Sequence, residues 1–248
     1  MSDRPSPSDP PLTSDAQAAN DASWPLDEPR SAFNGLFDSK VLALIAVAIV
    51  LNFVGGEVVK LTRLPVYGDS IGTMLLGILG GPLVGAVGGA ASNLVLGLRD
   101  PNMPFFAPVS IVIGAAAGWF ARWGFFPAWQ GDAARRARGW SIAGPVLAGL
   151  ATGLLAAIVA TPIATVVFGG VTGGPTDVLV AAFRTFGLDL WHSVLGQSVV
   201  SDPIDKLATA LLAFAIVSAL PRRTVAAFPL GPRLLGGADA DPDADPDA

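Results

Sequence analysis

The sequence predicts an all-α fold: a polytopic membrane bundle of six transmembrane helices flanked by disordered tails. Three observations carry that prediction. Hydrophobic residues make up 52% of the 248 positions and charged residues only 14%, with a mean hydropathy of +0.56. The charges crowd into the two ends and a few short gaps. Between the gaps lie long apolar runs, several approaching the roughly 20 residues that cross a hydrocarbon core.

Residues 1–36 are rich in Pro, Ser and Asp with no apolar run. They cannot bury enough surface to fold and are expected to form a disordered cytoplasmic tail. They also lack the basic and apolar regions of a signal peptide. The membrane domain spans 37–221, with six segments at 41–59, 66–79, 82–98, 105–121, 142–168 and 203–220. Gly80-Gly81-Pro82 separates the second from the third, and Pro82 suits a helix start. The turn Arg99-Asp100-Pro101-Asn102 ends the third, and Pro162 is expected to kink the fifth. Residues 177–200 hold Arg184, Asp189, His192 and Gln197 among their apolar positions. Those polar groups favour a surface or re-entrant helix over a lipid-exposed span. Residues 222–248 end in the acidic repeat ADPDADPDA and read as a second cytoplasmic tail.

Lys and Arg placement sets the expected topology. Arg30 and Lys40 precede the first span, Arg122, Arg135, Arg136 and Arg138 follow the fourth, and Arg222 and Arg223 follow the sixth. Six spans bring all three groups to one side, which the positive-inside rule makes cytoplasmic, with both termini inside. Trp119, Trp123, Trp129 and Trp140 cluster at the same boundary. Arg-rich, Lys-poor composition fits a bacterial chain, and hence a multi-pass protein of the cell membrane. The net charge of −5 comes from the acidic tails, and no basic patch points to a nucleic-acid partner. With no cysteine and one histidine, neither a metal site nor a cofactor is expected.

Spacing in the centre of the chain is unusual. Asp69, Thr73, Gly77, Gly81, Gly85, Gly89, Asn93 and Gly97 recur every fourth residue. On a helix such a row makes one flat face where another backbone can approach closely. The break at Gly80-Gly81-Pro82 divides it between two antiparallel helices joined by a tight cytoplasmic turn. Asp69 and Asn93 then lie toward the outer mouth of the hairpin, with the glycines deeper. A second row on the fifth segment, Gly144, Ala148, Thr152, Ala156, Ala160 and Ala164, also predicts close packing.

Two sets of residues bear on chemistry. Gly68-Asp69-Ser70-Ile71-Gly72 matches G-x-S-x-G, and His192 follows after Asp177 and Asp189, in the order of an α/β-hydrolase triad. That motif requires a strand before it and a helix after it. The chain shows no such alternation, so no enzyme is expected. The second set is the polar residues at the predicted outer side: Tyr67, Asp69, Asn93, Arg99, Asp100, Asn102, Arg184, Asp189, Trp191, His192, Gln197, Asp202, Asp205 and Lys206. Ionisable residues within or beside spans commonly line a substrate pocket. Local roles compete with that reading. Asp202 suits an N-cap before Pro203, Asp205 the first turn of a helix, Lys206 snorkelling, and Trp191 an interface anchor.

The stretch LPVYGDSIGTMLLGILGGPLVGAVGGAASNLVLGL, then FFAPVSIVIGAAAGWFAR, VVFGGVTGGPTD and SDPIDKLATALLAF, in that order and spacing, resemble the substrate-specific S components of energy-coupling factor (ECF) vitamin transporters. The resemblance covers the membrane portion from Val41 to about Leu220. It implies six helices with both termini cytoplasmic, and an outward pocket for a vitamin or related micronutrient. The implied partners are a transmembrane coupling subunit and two cytoplasmic ATPases. No Walker A pattern occurs in the chain itself. The implied pocket draws on the outer loops and later helices, where Arg184, Asp189, Trp191, His192, Gln197, Asp205 and Lys206 fall, and Asp69 and Asn93 join them as candidates from the polar set above. Family members often dock through Ala-x-x-x-Ala on the first helix. Here Ala43, Ala46 and Ala48 are spaced differently, so Ala43 and Ala46 are expected to share coupling with Gly77, Gly81, Gly85 and Gly89. Asp69→Ala or Asp205→Ala is expected to weaken ligand binding while the protein stays folded. The same glycine-rich pattern is also similar to the membrane sensor portions of some bacterial signalling proteins, which supplies the alternative function.

Overall fold

The computed structural model describes residues 38–62, 65–127 and 138–235. The expected N-terminal tail, Trp129, Arg135, Arg136 and the acidic run beyond 235 lie outside those residues. Every regular element among the described residues is helical. In chain order they are α1 (Ser39–Thr62), α2 (Ile71–Gly80), α3 (Pro82–Leu96), a 3₁₀ turn (Met103–Phe106), α4 (Ala107–Arg122), α5 (Arg138–Val166), α6 (Asp177–Thr185), α7 (Leu190–Ala219), α8 (Arg222–Ala226) and α9 (Gly231–Leu234). Three stretches are long and apolar enough to cross a membrane: Ser39–Thr62, Met103–Arg122 and Ile142–Val166.

α2 is the centre of the bundle. Every residue from Gly72 to Leu79 is buried, and α1, α3, α4 and α7 all pack on it. The chain breaks where Gly80-Gly81-Pro82 predicts. Gly81 sits at φ 90°, a left-handed conformation that glycine adopts without steric cost, and Pro82 opens α3. The two helices then fold antiparallel about Gly81, bringing Gly85 against Gly77 and Gly89 against Thr73. One four-residue row thus closes on itself.

What fills the groove is the chain's own α4. A Cβ on Gly77 or Gly85 would fall on the carbonyl of Gly114, and one on Gly89 would meet the carbonyl of Ser110. Gly77, Gly81, Gly85 and Gly89 are all buried. Their expected share in partner coupling is therefore corrected: the glycines seat α4. Ala43 and Ala46, by contrast, lie exposed on the outer face of α1 with Leu42, Val47, Val50 and Val54.

Asn52 of α1 ties this centre together. Its Oδ1 accepts from the N–H groups of Gly72 (2.7 Å) and Thr73 (3.3 Å), which open α2 and have no intrahelical partner. Its Nδ2 donates to Thr73 Oγ1 (2.9 Å) and Ser92 Oγ (2.8 Å). A single buried amide satisfies three helices at once.

α7 corrects the expected layout of the last third. The segment expected over 177–200 divides into the short α6, a turn, and the opening turns of a helix that runs unbroken through Pro203. Pro203 lacks an N–H for the carbonyl of Val199 but ends nothing. Gly149 and Gly153 of α5 bring the two backbones together there: a Cβ on Gly153 would fall on Pro203, and one on Gly149 on Leu207. The small residues expected along α5 at Gly144, Ala148, Thr152, Ala156 and Ala164 are all buried. α7 is also amphipathic in the inverse sense of a water-soluble helix. It buries Gln197, Ser201, Asp202, Asp205 and Lys206 while Val199, Val200, Ile204 and Leu212 face outward.

The C-terminal stretch is likewise corrected in part. Residues 222–235, expected within a tail, form α8 and α9, with Val225, Leu230 and Leu234 buried. The N–H of Leu230 donates to the Leu79 carbonyl at 2.9 Å, capping the end of α2.

Candidate functional site

A cavity of about 180 Å³ opens at the end of the bundle opposite the Gly81 turn. Its walls come from the C-terminal parts of α1, α3 and α5, the start of α4, the middle of α7 and three loops. Phe53, Phe106 and Val109 give it apolar surface, and Asp69, Asp202 and Lys206 give it charge. Ala156 and Ala160 keep the α5 side shallow.

The charges sit on a braced floor. Asp205, 2% exposed, accepts from the backbone N–H groups of Tyr67 (3.0 Å) and Gly68 (2.7 Å) through Oδ1. Its Oδ2 pairs with the ammonium of Lys206. Lys206 in turn donates to Ser70 Oγ at 2.7 Å, and its Nζ lies 5.8 Å from the centre of the Tyr67 ring. The Tyr67 hydroxyl bonds Thr176 Oγ1 at 2.8 Å and accepts from Gln197 Nε2 at 3.3 Å. α7, the 65–70 loop and the start of α6 are thereby locked together. Asp202 is different. It is 3% exposed and lines the cavity, and its Oδ2 has no hydrogen-bond partner.

The rim is a smaller network. Glu57 pairs with Lys60 (3.3 Å) and Arg99 (3.2 Å), and Arg99 stacks 5.0 Å above the Phe53 ring. Asp177 orders the facing loop by accepting from the N–H groups of Thr172 (3.2 Å) and Gly173 (2.8 Å). Asn102 Nδ2 then donates to the Thr172 carbonyl at 3.0 Å, which joins the two loops.

The residues singled out from sequence divide into three groups. Tyr67, Asp69, Asn93, Arg99, Asp100, Asn102, Asp202 and Lys206 line the cavity. Asn93 is already engaged, donating to the Met103 carbonyl (3.1 Å) and accepting from Ser110 Oγ (3.0 Å). Asp205 and Gln197 are buried behind the cavity, as supports. Arg184, Asp189, Trp191 and His192 lie on the outer surface, and their placement in the pocket is corrected. Arg184 donates to the Leu188 carbonyl at 3.2 Å, and Trp191 is 44% exposed. Asp189 is the N-cap of α7, accepting from the N–H of His192 at 2.8 Å. It also bonds the His192 ring at 2.7 Å. Those two bonds hold its carboxyl below the usual carboxylate range. Asn52, Glu57 and the Thr172 loop were missed as pocket-wall residues. Their one sequence signal is that each polar side chain interrupts or adjoins an apolar run.

Asp189→Ala is expected to fray the first turn of α7, read as faster hydrogen exchange there, and to leave the cavity intact. The same cap is present above the ordinary carboxylate pKa and is lost as pH falls through the lowered value. Exchange in that turn should therefore rise only in strongly acidic buffer.

Ser70 of the G-x-S-x-G match is 2% exposed and bound by Lys206, while His192 pairs with Asp189 on the surface. A lysine held in an ion pair is a poor base for activating a serine. The residues of the proposed triad are thus engaged elsewhere.

Fold and cavity together define a helical protein with a ligand-sized, acid-lined chamber among its helix ends. Comparisons with protein-family models, with curated proteins and with solved structures each returned no match.

Proposed function

We propose that this chain is the substrate-binding membrane subunit of an ECF-type importer, taking a small micronutrient from the outer face and releasing it inward with a coupling subunit and two ATPases. The observation that carries the reading is the cavity, which holds a buried carboxylate without a hydrogen-bond partner in a chamber of small-molecule size.

The proposed arrangement has six spans: α1, α2, α3, α4 with its 3₁₀ turn, α5 and α7. α7 is included because its apolar residues face outward and its charges inward, as a lipid-facing helix requires. α2 and α3 are short, but α2 is sheathed by its neighbours. Lys40, Arg122, Arg222 and Arg223 all lie at the end away from the cavity. The positive-inside rule makes that end cytoplasmic and turns the cavity outward. Docking falls to the exposed face of α1 that holds Ala43 and Ala46.

Purification from cells grown in rich medium, followed by mass spectrometry of the extracted small molecules, is expected to yield a stoichiometric ligand. Cells carrying the chain with a coupling subunit and ATPases are expected to accumulate that ligand. Binding without ATP-dependent accumulation would refute the importer and favour the sensor alternative.

A further inference from the structure

The cavity's charges are unequally partnered. Each cation on its wall has an acid partner: Lys206 is paired with Asp205, and Lys60 and Arg99 share Glu57 at the rim. Three acids on the same wall, Asp69, Asp100 and Asp202, take part in no ion pair among the described residues, and of these Asp100 accepts from the N–H of Asn102 in the rim turn. Asp202 is the sharper case, because its Oδ2 is buried and receives no hydrogen bond. A buried carboxylate in that state costs far more than a buried neutral group. Packing gives no reason for an acid there, since Ile204 and Val200 of the same helix face outward and the Asp202 side chain faces the cavity.

We propose that the ligand carries a protonated nitrogen, an ammonium or a charged ring N–H, which donates to Asp202, with Asp69 supplying the second negative charge. The inference rests on the cavity being the ligand site described above. It adds the chemical class of what enters. A cation placed there supplies the missing donor to Asp202 and brings a positive charge between two negative ones. An anion would meet both carboxylates, and the buried cation beside them, Lys206, is committed to Asp205 and Ser70, while Lys60 and Arg99 stand at the rim on Glu57. A neutral ligand would leave the surplus charge in place. The excess of acid thus selects by charge before it selects by shape.

Three probes that share a ring and differ in charge test this: benzylammonium, benzyl alcohol and phenylacetate. Each is added at millimolar concentration to the full-length protein in detergent and sodium-free buffer, and thermal unfolding is followed by tryptophan fluorescence. Benzylammonium is expected to raise Tm, and the other two to leave it unchanged. Asp202→Asn is expected to weaken benzylammonium binding by about tenfold or more. In the absence of any probe its Tm should equal or exceed that of the parent protein, because an unpaired buried charge has been removed. A structural role for Asp202 would instead lower that ligand-free Tm.

The proposal is overturned if benzylammonium gives no shift, or if benzyl alcohol, phenylacetate or sodium ion gives an equal one. It is also overturned if Asp202→Asn retains the parent affinity. The importer reading fails separately. Cation preference without uptake sinks only the importer, and uptake of an anionic or neutral ligand sinks only the charge selection.

Discussion

Replacing Asp205 by Ala is expected to cost about 3–5 kcal/mol of stability, enough to leave a large part of the protein unfolded at growth temperature. The sequence reading expected a different result, with weakened ligand binding and an intact fold. The structure changes the expectation because Asp205 faces away from the cavity and serves three donors at once. Its removal leaves the ammonium of Lys206 on α7 without its carboxylate and strands the N–H groups of Tyr67 and Gly68 in the loop that starts α2. A stranded buried charge is what makes such truncations severe, more than the loss of the pair itself. A double variant, Asp205→Asn with Lys206→Met, removes both charges and is expected to recover much of the loss. Thermal unfolding of the parent, Asp205→Asn, Lys206→Met and the double variant in one detergent reads the coupling directly. An Asp205→Ala protein as stable as its parent would show that the ion pair braces nothing.

Gly77→Ala should be nearly as damaging, although alanine is the better helix former by about 1 kcal/mol. The added methyl would fall on the Gly114 carbonyl and crowd Ala117 and Gly118. Backbone cannot swing aside, so α2 and α4 must part or shift, at a cost of about 1–3 kcal/mol or more after the propensity gain. Gly88 on α3 supplies the control, because its nearest obstacle is the far end of the Leu76 side chain, which can change rotamer. Gly88→Ala is therefore expected to change Tm little, and Gly77→Ala to lower it by several degrees. Equal effects at the two positions would mean that backbone contact does not set the spacing of these helices.

Much of the fold was legible because glycine and proline speak plainly about backbone. The four-residue row and the Gly80-Gly81-Pro82 break fix the α2–α3 hairpin, and Gly81 adopts the positive φ that the break requires. Pro203 misled for the same reason. Proline usually ends a helix, but one missing N–H is tolerable where a neighbour's glycines crowd in beside it, and no local pattern announces that neighbour. Moving the start of α7 back to Leu190 changes what Asp202 is. At a helix N-terminus it reads as a cap, and in mid-helix on the inner face it is a buried acid. The surface group Arg184, Asp189, Trp191 and His192 failed in the opposite way. Polarity near a helix end marks a pocket or a solvated turn equally well, and here local hydrogen bonds absorb it. Asn52 was silent, since one amide in an apolar run names no partner.

The inward charges of α7 also bear on how the chain enters a bilayer. On the proposed six-span arrangement, Asp202, Asp205 and Lys206 travel into hydrocarbon on one helix, at about 2.5–3.5 kcal/mol each for an isolated segment. The outward Val199, Val200, Ile204 and Leu212 offset only part of that. α7 follows the other proposed spans in chain order, however. By then Ser70 and the Tyr67–Gly68 backbone that receive its charges have already been synthesised. Insertion of α7 and closure of the cavity floor are then a single event, so a chain cut short before Ser201 would lack the floor altogether. On that arrangement the order of the helices, with the charged α7 after the segments that receive its charges, favours assembly of the bundle.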